Sequence, residues 1–256
     1  MKIVRFEYRN RIAYGRLEGD AIQVFNLSPF EGSPAGTSDA FPLKEVRLLA
    51  PCQPTKIVCL GLNYKSHAAE FKQKLPDLPL LFMKPPSSVI GPGENIILPP
   101  RAERIDYEGE LGVVIGKAAK SVKEEDFANY VVGYTCFNDV TDRIAQALDG
   151  QWTRAKGCDT FAPFGPWIET GITPDNLKVQ TTVNGQVRQS GNTGDLIFNV
   201  PKLVSFISTI MTLMPGDIIA TGTPDGIGPL KNGDVVDIAI EGIGTLSNPV
   251  VASDSR

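Results

Sequence analysis

Histidine is nearly absent from this sequence. His67 is the single imidazole in 256 residues, so any imidazole chemistry near neutral pH falls on that one position. Cysteine is scarce as well. Cys52, Cys59, Cys136 and Cys158 form no C-x-x-C pair, and a chain of this length needs no covalent staples, so the four read as reduced thiols of a cytoplasmic protein. Basic charge is in short supply: 25 Lys and Arg stand against 29 Asp and Glu, a formal net charge of -4, which argues against a nucleic-acid footprint. No run approaches the ~18 consecutive apolar residues of a membrane span. The opening MKIVRFEYRNR interleaves charges and lacks the apolar core of a signal peptide.

What remains is ordinary globular composition. Hydrophobic residues make up 42% and charged residues 21%, enough to build a full core rather than a disordered chain. Residues 2–26 alternate as three strands separated by polar turns, a small β-meander. Residues 27–44 are rich in Pro, Gly and Ser and read as a linker. The expected division is thus residues 1–48, an N-terminal β-meander domain and linker, and residues 49–256, the main domain. In that domain KIVCLG, YEGELGVVIG, VVGYTCFND, DIIATGT and VVDIAIEGIG read as strands. KVQTTVNG and QVRQSG form a hairpin about Asn184-Gly185. Short helices are expected over residues 63–74, with Ser66 as a cap, from near Ser121, and over residues 200–214. The polar tail reads as frayed. The fold class is α+β, rich in β.

Two groupings carry chemistry. Glu108 and Glu110 stand two apart at the start of an apolar strand and so share one face. Asp139 ends another apolar strand. Either the two glutamates are the solvated face of a half-buried strand, or three carboxylates converge and a divalent cation offsets their repulsion. Hard oxygen donors favour Mg²⁺, Mn²⁺ or Ca²⁺ over zinc. His67 and Glu70, three apart on the predicted helix, share a face. They are either a surface pair or an imidazole oriented by a carboxylate, the arrangement of a general base. Lys84 and Asp159 read as supporting groups or structural ion pairs. Trp152 and Phe161 read as pocket walls or core. The Gly222–Gly228 turn lacks the Gly-Lys-Ser/Thr of a phosphate loop.

These pieces occur in an order that resembles one family. GLNYKSHAAE (61–70), LFMKPPSSVIGPGENI, DYEGELGVVIG, GYTCFNDVTDR, RAKGCDTFAPFGPW and PGDIIATGTPDGIG resemble the successive motifs of fumarylacetoacetate hydrolase family proteins, over residues 51–250. The resemblance implies a mixed β-sandwich roll with short helices, a small extra N-terminal β-domain and a homodimer. It implies Glu108, Glu110 and Asp139 as ligands of Mg²⁺, with Mn²⁺ possible. His67 and Glu70 resemble the catalytic dyad, and Lys156 resembles the lysine that faces the substrate's developing negative charge. Arg143, Gln146 and Thr223 fall where the family contacts substrate. The implied activity is hydrolysis of a carbon–carbon bond in an acylpyruvate-type 2-oxo acid through a pyruvate enolate. Oxaloacetate decarboxylation, and isomerisation or tautomerisation of hydroxydienoates or enol-oxaloacetate, share that intermediate and stay open. A non-catalytic binding domain is the reading outside enzymes. No membrane or nucleic-acid partner is expected.

Overall fold

Alternation at the N-terminus produces the meander. In the computed structural model, which describes residues 1–70, 72, 74–100 and 102–253, β1 (Lys2–Tyr8), β2 (Arg11–Glu18) and β3 (Ala21–Phe25) pair antiparallel in sequence. The Arg9-Asn10 turn has positive φ at both residues, the geometry that matches strand twist in a two-residue hairpin. The stretch expected to be linker ends in a fourth strand, β4 (Gly36–Pro42), paired to β3. Composition hid it because its stabilisation comes from the strands it meets: Gln23 donates to the Thr37 carbonyl at 3.0 Å and Phe41 packs on Tyr8 with ring centres 4.2 Å apart.

The outer edge of β1 is shared. Lys2 and Ile3 pair with β14 (Ala162–Glu169), and Arg5 to Glu7 pair with β5 (Arg47–Leu49). The meander is therefore continuous with the main sheet. Beyond β14 that sheet runs through β12 (Val131–Asn138), β11 (Gly109–Ile115), β17 (Ile218–Ala220), β6 (Ile57–Leu60) and β7 (Leu81–Lys84), with β8 (Val89–Ile90) alongside β14. β11 and β6 are buried at every position, as strands covered on both faces must be. A second sheet stacks in the order β16 (Gln186–Asn192), β15 (Lys178–Val183), β19 (Val235–Ile240), β20 (Gly244–Ala252) and β9 (Ile96–Leu98). β20 replaces most of the expected frayed tail, and residues 254–256 lie outside the described residues. Asn184-Gly185 closes the β15–β16 hairpin with positive φ at both positions. A small third sheet joins β13 (Thr141–Asp142), β10 (Ile105–Tyr107) and β18 (Gly228–Pro229).

Val113, Ile115, Tyr134 and Cys136 of the main sheet pack against Val179, Ile238 and Leu246 of the second. α4 (Val200–Ile210) adds Val200, Leu203, Val204 and Ile207, one face at helical spacing. It stops four residues before the expected end because Leu213 instead pairs with Ala119 in both directions. The helix expected near Ser121 is a 3-10 turn, Glu124–Asn129. Ser121 cannot cap it, since its φ is positive and its N–H is tied to the Ser208 carbonyl. The remaining helices are short: α1 (Lys65–Glu70), α2 (Arg143–Leu148) and α3 (Thr153–Lys156). The fold is α+β and β-rich, as the sequence indicates. Among the described residues no helix is long and apolar enough to cross a membrane.

A core layer containing Ile3, Phe25, Ile57, Phe137 and Phe164 fills the other face of the main sheet and joins it to the meander. Phe164 and Phe137 stack with centres 6.4 Å apart. Phe164→Ala is expected to destabilise the chain by about 3–5 kcal/mol, read from the urea midpoint at unchanged slope. A loss below about 1 kcal/mol would mean that this layer does not couple the two parts.

Candidate active site and metal centre

Strand register brings the three carboxylates together. Gly109 of β11 pairs with Asn138 at the end of β12. The flanking residues are cross-tied: Asp139 N donates to the Glu108 carbonyl at 2.9 Å, and Glu108 N donates to Asn138 Oδ1 at 3.0 Å. Glu108, Glu110 and Asp139 are 6%, 1% and 0% exposed, so the solvated-face alternative does not hold. One carboxylate oxygen from each lies within 4.8 Å of the others.

The three carboxylates are not equivalent. Burial alone would push Glu108 up, but Arg143 and Lys156 beside it hold its carboxyl well below the usual range. Burial, with Asp139 and Glu108 as like-charged neighbours, pushes Glu110 well above it. Glu110 Oε2 accepts from Gly222 N at 2.8 Å, while the buried Oε1 has no hydrogen-bond partner. An orphaned carboxylate oxygen facing two other carboxylates is the donor set a hard divalent cation takes. The residues fit such an ion.

Cations surround this cluster. Lys156, on α3, donates to Asp139 Oδ2 at 2.6 Å and to Glu108 Oε2 at 2.9 Å. Burial opposes its charge, yet Asp139 and Glu108 outweigh that and raise its pKa. Lys84, on β7, gives its three protons to the carbonyls of Val140, Lys156 and Phe161 at 2.8–2.9 Å. Its ammonium also lies 2.7 Å from Asp139 Oδ1. With its protons already spent on carbonyls, that contact is charge without a donated hydrogen, and Asp139 Oδ1 stays available. Lys84 therefore fixes the segments bearing Asp139 and Lys156. Asp159 is exposed and takes no part in the cluster.

Arg143 and Gln146 sit on one face of α2, whose N-terminus is capped by Asp142. Arg143 bonds Glu108 through Nη2, Asp106 at 2.8 Å through Nε, and Gln146 at 2.8 Å through Nη1. A cavity of about 460 Å³ opens over these groups, and Glu108, Lys156, Arg143, Gln146, Trp152 and His67 are among the residues lining it. His67 Nδ1 lies 3.0 Å from Glu70 Oε2. His67 of the dyad and Glu108 of the carboxylate cluster thus face one space.

α1 is held differently from expectation. Ser66 lies inside the helix, and its N–H is capped by Asp195 Oδ2 at 2.9 Å from a distant segment. The expected helix beyond Glu70 includes Phe71 and Gln73, which lie outside the described residues. Asn63, just before α1, donates to the carbonyls of Thr221 and Phe198 and accepts from Phe198 N. A Cβ on Gly222 would come within 2.8 Å of the Asn63 Cβ, and its φ is +98°, so only glycine closes this junction. Glu70 Oε1 in turn accepts from Gly226 N at 3.4 Å.

Thr223 is near the site but does not line the cavity. Its hydroxyl donates to the Gly109 carbonyl at 3.0 Å and accepts from Gln189 Nε2 at 2.8 Å. Phe161 is core. Sequence reasoning missed Gln189, whose buried amide also donates to Pro224 O and accepts from Gly109 N and Thr181 Oγ1. It locks the turn at Thr223 to the strand between the two glutamates. Asp106 was missed as well, although it continues the spacing of two set by Glu108 and Glu110.

Residues 56–251 match the family profile described as fumarylacetoacetate (FAA) hydrolase C-terminal, and residues 1–51 match that described as Rv2993c-like, N-terminal. A crystal structure of 5-carboxymethyl-2-hydroxymuconate delta-isomerase from Mycobacterium smegmatis is 44% identical. It covers 99% of this chain and 100% of its own, with a TM-score of 0.94. The mitochondrial oxaloacetate tautomerase of Rattus norvegicus is 43% identical over 82% of this chain and 71% of its own. Maleylpyruvate hydrolase of Sphingobium sp. SYK-6, solved with manganese (II) ion and pyruvate, is 33% identical. It covers 99% of this chain and 100% of its own, with a TM-score of 0.82.

Two outcomes follow from this geometry. Because the folded-state pKa of Glu110 is raised, the folded protein holds a proton that the unfolded chain releases. That stability is present below the ordinary carboxylate range and is lost as pH rises through the raised value. Metal-free protein is therefore expected to lose stability as pH rises above the ordinary carboxylate range, and Glu110→Gln to flatten that slope; an unchanged slope would contradict the assignment. Gln189→Leu strands buried groups on both sides and is expected to cost about 2–4 kcal/mol in chemical denaturation. A loss within about 0.5 kcal/mol would show the junction to be dispensable.

Proposed function

This chain belongs to the fumarylacetoacetate hydrolase family, and from that footing we propose that it interconverts the enol and keto forms of a 2-oxo acid, with a divalent metal as cofactor. The observation that carries the reading is the His67–Glu70 pair, with His67 set in one cavity with Lys156, Arg143 and Glu108 of the carboxylate cluster. Relatives named for tautomerase and isomerase activity support it at 43% and 44% identity.

Glu108, Glu110 and Asp139 would hold the cation, Mg²⁺ or Mn²⁺, which when bound supplies Lewis-acid polarisation of the 2-oxo group. The chain's own residues do the rest. Glu70 accepts the Nδ1 proton of His67, which leaves Nε2 as the base. That nitrogen takes a proton from, or returns it to, the carbon beside the 2-oxo group, and the enol oxygen exchanges its own proton with solvent water. Lys156, kept charged by Asp139 and Glu108, offsets the negative charge that develops on the 2-oxo oxygen. Gln146, its Oε1 held by Arg143 Nη1, is placed to donate its amide hydrogens to the substrate carboxylate, with the Arg143 charge beside it. Trp152, packed edge-on to Phe82 at 5.3 Å, walls the cavity against water.

Hydrolytic cleavage of an acylpyruvate is a second reading. The same dyad is what a water-activating base requires, and the maleylpyruvate hydrolase resemblance supports it. We further propose a homodimer in solution. β7 ends the main sheet, and Leu78, Leu80, Met83 and Leu148 are exposed on or near that side, Leu148 at 74%. Exposed apolar edges of this kind are ordinarily covered.

The test follows enol-oxaloacetate by its ultraviolet absorbance with Mg²⁺ or Mn²⁺ present. The protein is expected to accelerate loss of the enol with deuterium entering from solvent and no release of pyruvate. His67→Ala should slow it about 10²–10⁴-fold, and a chelator should abolish it. Absence of acceleration, with metal-dependent cleavage of acetylpyruvate instead, would replace this reading by the hydrolytic one.

A further inference from the structure

We infer that Phe82 is a positioning residue for Lys156, its ring face holding the lysine ammonium at the cavity wall without cancelling its charge. That role rests on the 2-oxo acid reading above, in which Lys156 offsets negative charge on the 2-oxo oxygen. The ammonium lies over the Phe82 ring, 4.7 Å from its centre, within the range of a cation–π contact. Its other partners among the described residues are Asp139 Oδ2 at 2.6 Å and Glu108 Oε2 at 2.9 Å. An ammonium carries three protons, so one remains after both carboxylates are served. Attraction to a ring face acts on the whole charge and consumes no donated hydrogen. The third proton therefore stays available to a ligand in the cavity that Lys156 lines.

The placement follows from the alternation of β7. Met83 points outward and is exposed, while Phe82 and Lys84, two apart, share the opposite face. Both reach the same residue. Lys84 Nζ donates to the Lys156 carbonyl at 2.8 Å, and the Phe82 ring meets Lys156 Nζ. One strand thus grips Lys156 by its backbone and by its charge. The ring is itself fixed. Trp152, at the head of α3, packs against it with centres 5.3 Å apart and planes at 69°, and the Trp152 carbonyl accepts from Lys156 N at 2.9 Å. Behind it, Phe82 packs on the apolar layer that holds Ile57, Phe137 and Phe164. The carboxylates hold the ammonium by opposite charge, which they cancel in part. The ring attracts it through its quadrupole and leaves that charge whole. A leucine of similar bulk would fill the space without the attraction.

The test separates attraction from bulk. Phenylalanine carrying none, one, two or three ring fluorines is placed at position 82 of the Mg²⁺-loaded protein, alongside Phe82→Leu. Fluorine drains the ring face of negative charge and barely changes its size. Turnover is followed on enol-oxaloacetate or acetylpyruvate, whichever wild type accepts. We expect kcat to fall stepwise along the fluorine series and about tenfold in Phe82→Leu, the rate equivalent of a desolvated cation–π contact. KM should stay within about twofold, as for a contact that matters in the transition state. Independently of turnover, the Lys156 methylene protons next to nitrogen, assigned by their absence from Lys156→Arg, should resonate upfield in wild type and return to the ordinary lysine position in Phe82→Leu. A kcat indifferent to fluorine, or a Lys156 signal that Phe82→Leu does not move, overturns the role of Phe82 and leaves the 2-oxo acid reading standing. Wild-type protein inert toward both substrates overturns that reading, and the role of Phe82 falls with it.

Discussion

Three carboxylates buried within a few ångströms of one another are the constraint around which this molecule is arranged. At an effective dielectric near 20, each charged pair at such a separation repels by about 3–4 kcal/mol, before any cost of burial. The fold answers with fixed positive charge. Lys84, Lys156 and Arg143 come from three different elements, and Lys84 and Arg143 are also oriented by bonds outside the cluster. The answer is incomplete: Glu110 Oε1 keeps no partner and Glu110 is pushed upward. A divalent cation would complete it, and binding one would let the folded state gain what the bare cluster forgoes.

The same constraint explains why polar side chains rather than apolar packing stitch this end of the molecule together. His67 on α1 and Glu108, just ahead of β11, line one cavity, and Asn63 ties the approach to α1 to the backbone at Thr221 and Phe198. Gln189 joins the turn at Thr223 to Gly109. Gly109 has no room for a side chain, because a Cβ there would meet Thr181 Oγ1 at 2.2 Å. These contacts are satisfied in the interior, where unmet polar groups are costly, so they specify one arrangement of the cluster. Thr223 belongs to this framework, with its hydroxyl turned to Gly109 and Gln189 rather than into the cavity.

Much of this was legible in the sequence, and for identifiable reasons. The spacing of Glu108 and Glu110, and of His67 and Glu70, encodes local geometry that strands and helices preserve. Asn184-Gly185 demands a tight hairpin and forms one. The roles of Asp106 and Gln189 were not legible, because the contacts that tie them to the site, Arg143 to Asp106 and Gly109 to Gln189, join residues 37 and 80 positions apart. The cap of α1 was misread for the same reason: Ser66 is a good local candidate, but Asp195 reaches its backbone from across the fold. β4 and β20 escaped because pairing with strands already in place stabilises segments whose own composition is poor for strands. Local pattern gave the chemistry, and tertiary contact decided which residues hold it in position.

The most direct measurement is anomalous diffraction from crystals of the protein soaked in Mn²⁺. The account predicts one strong peak enclosed by Glu108, Glu110 and Asp139, lost in the Glu110→Gln variant. A peak elsewhere, or none at the three carboxylates, would contradict it.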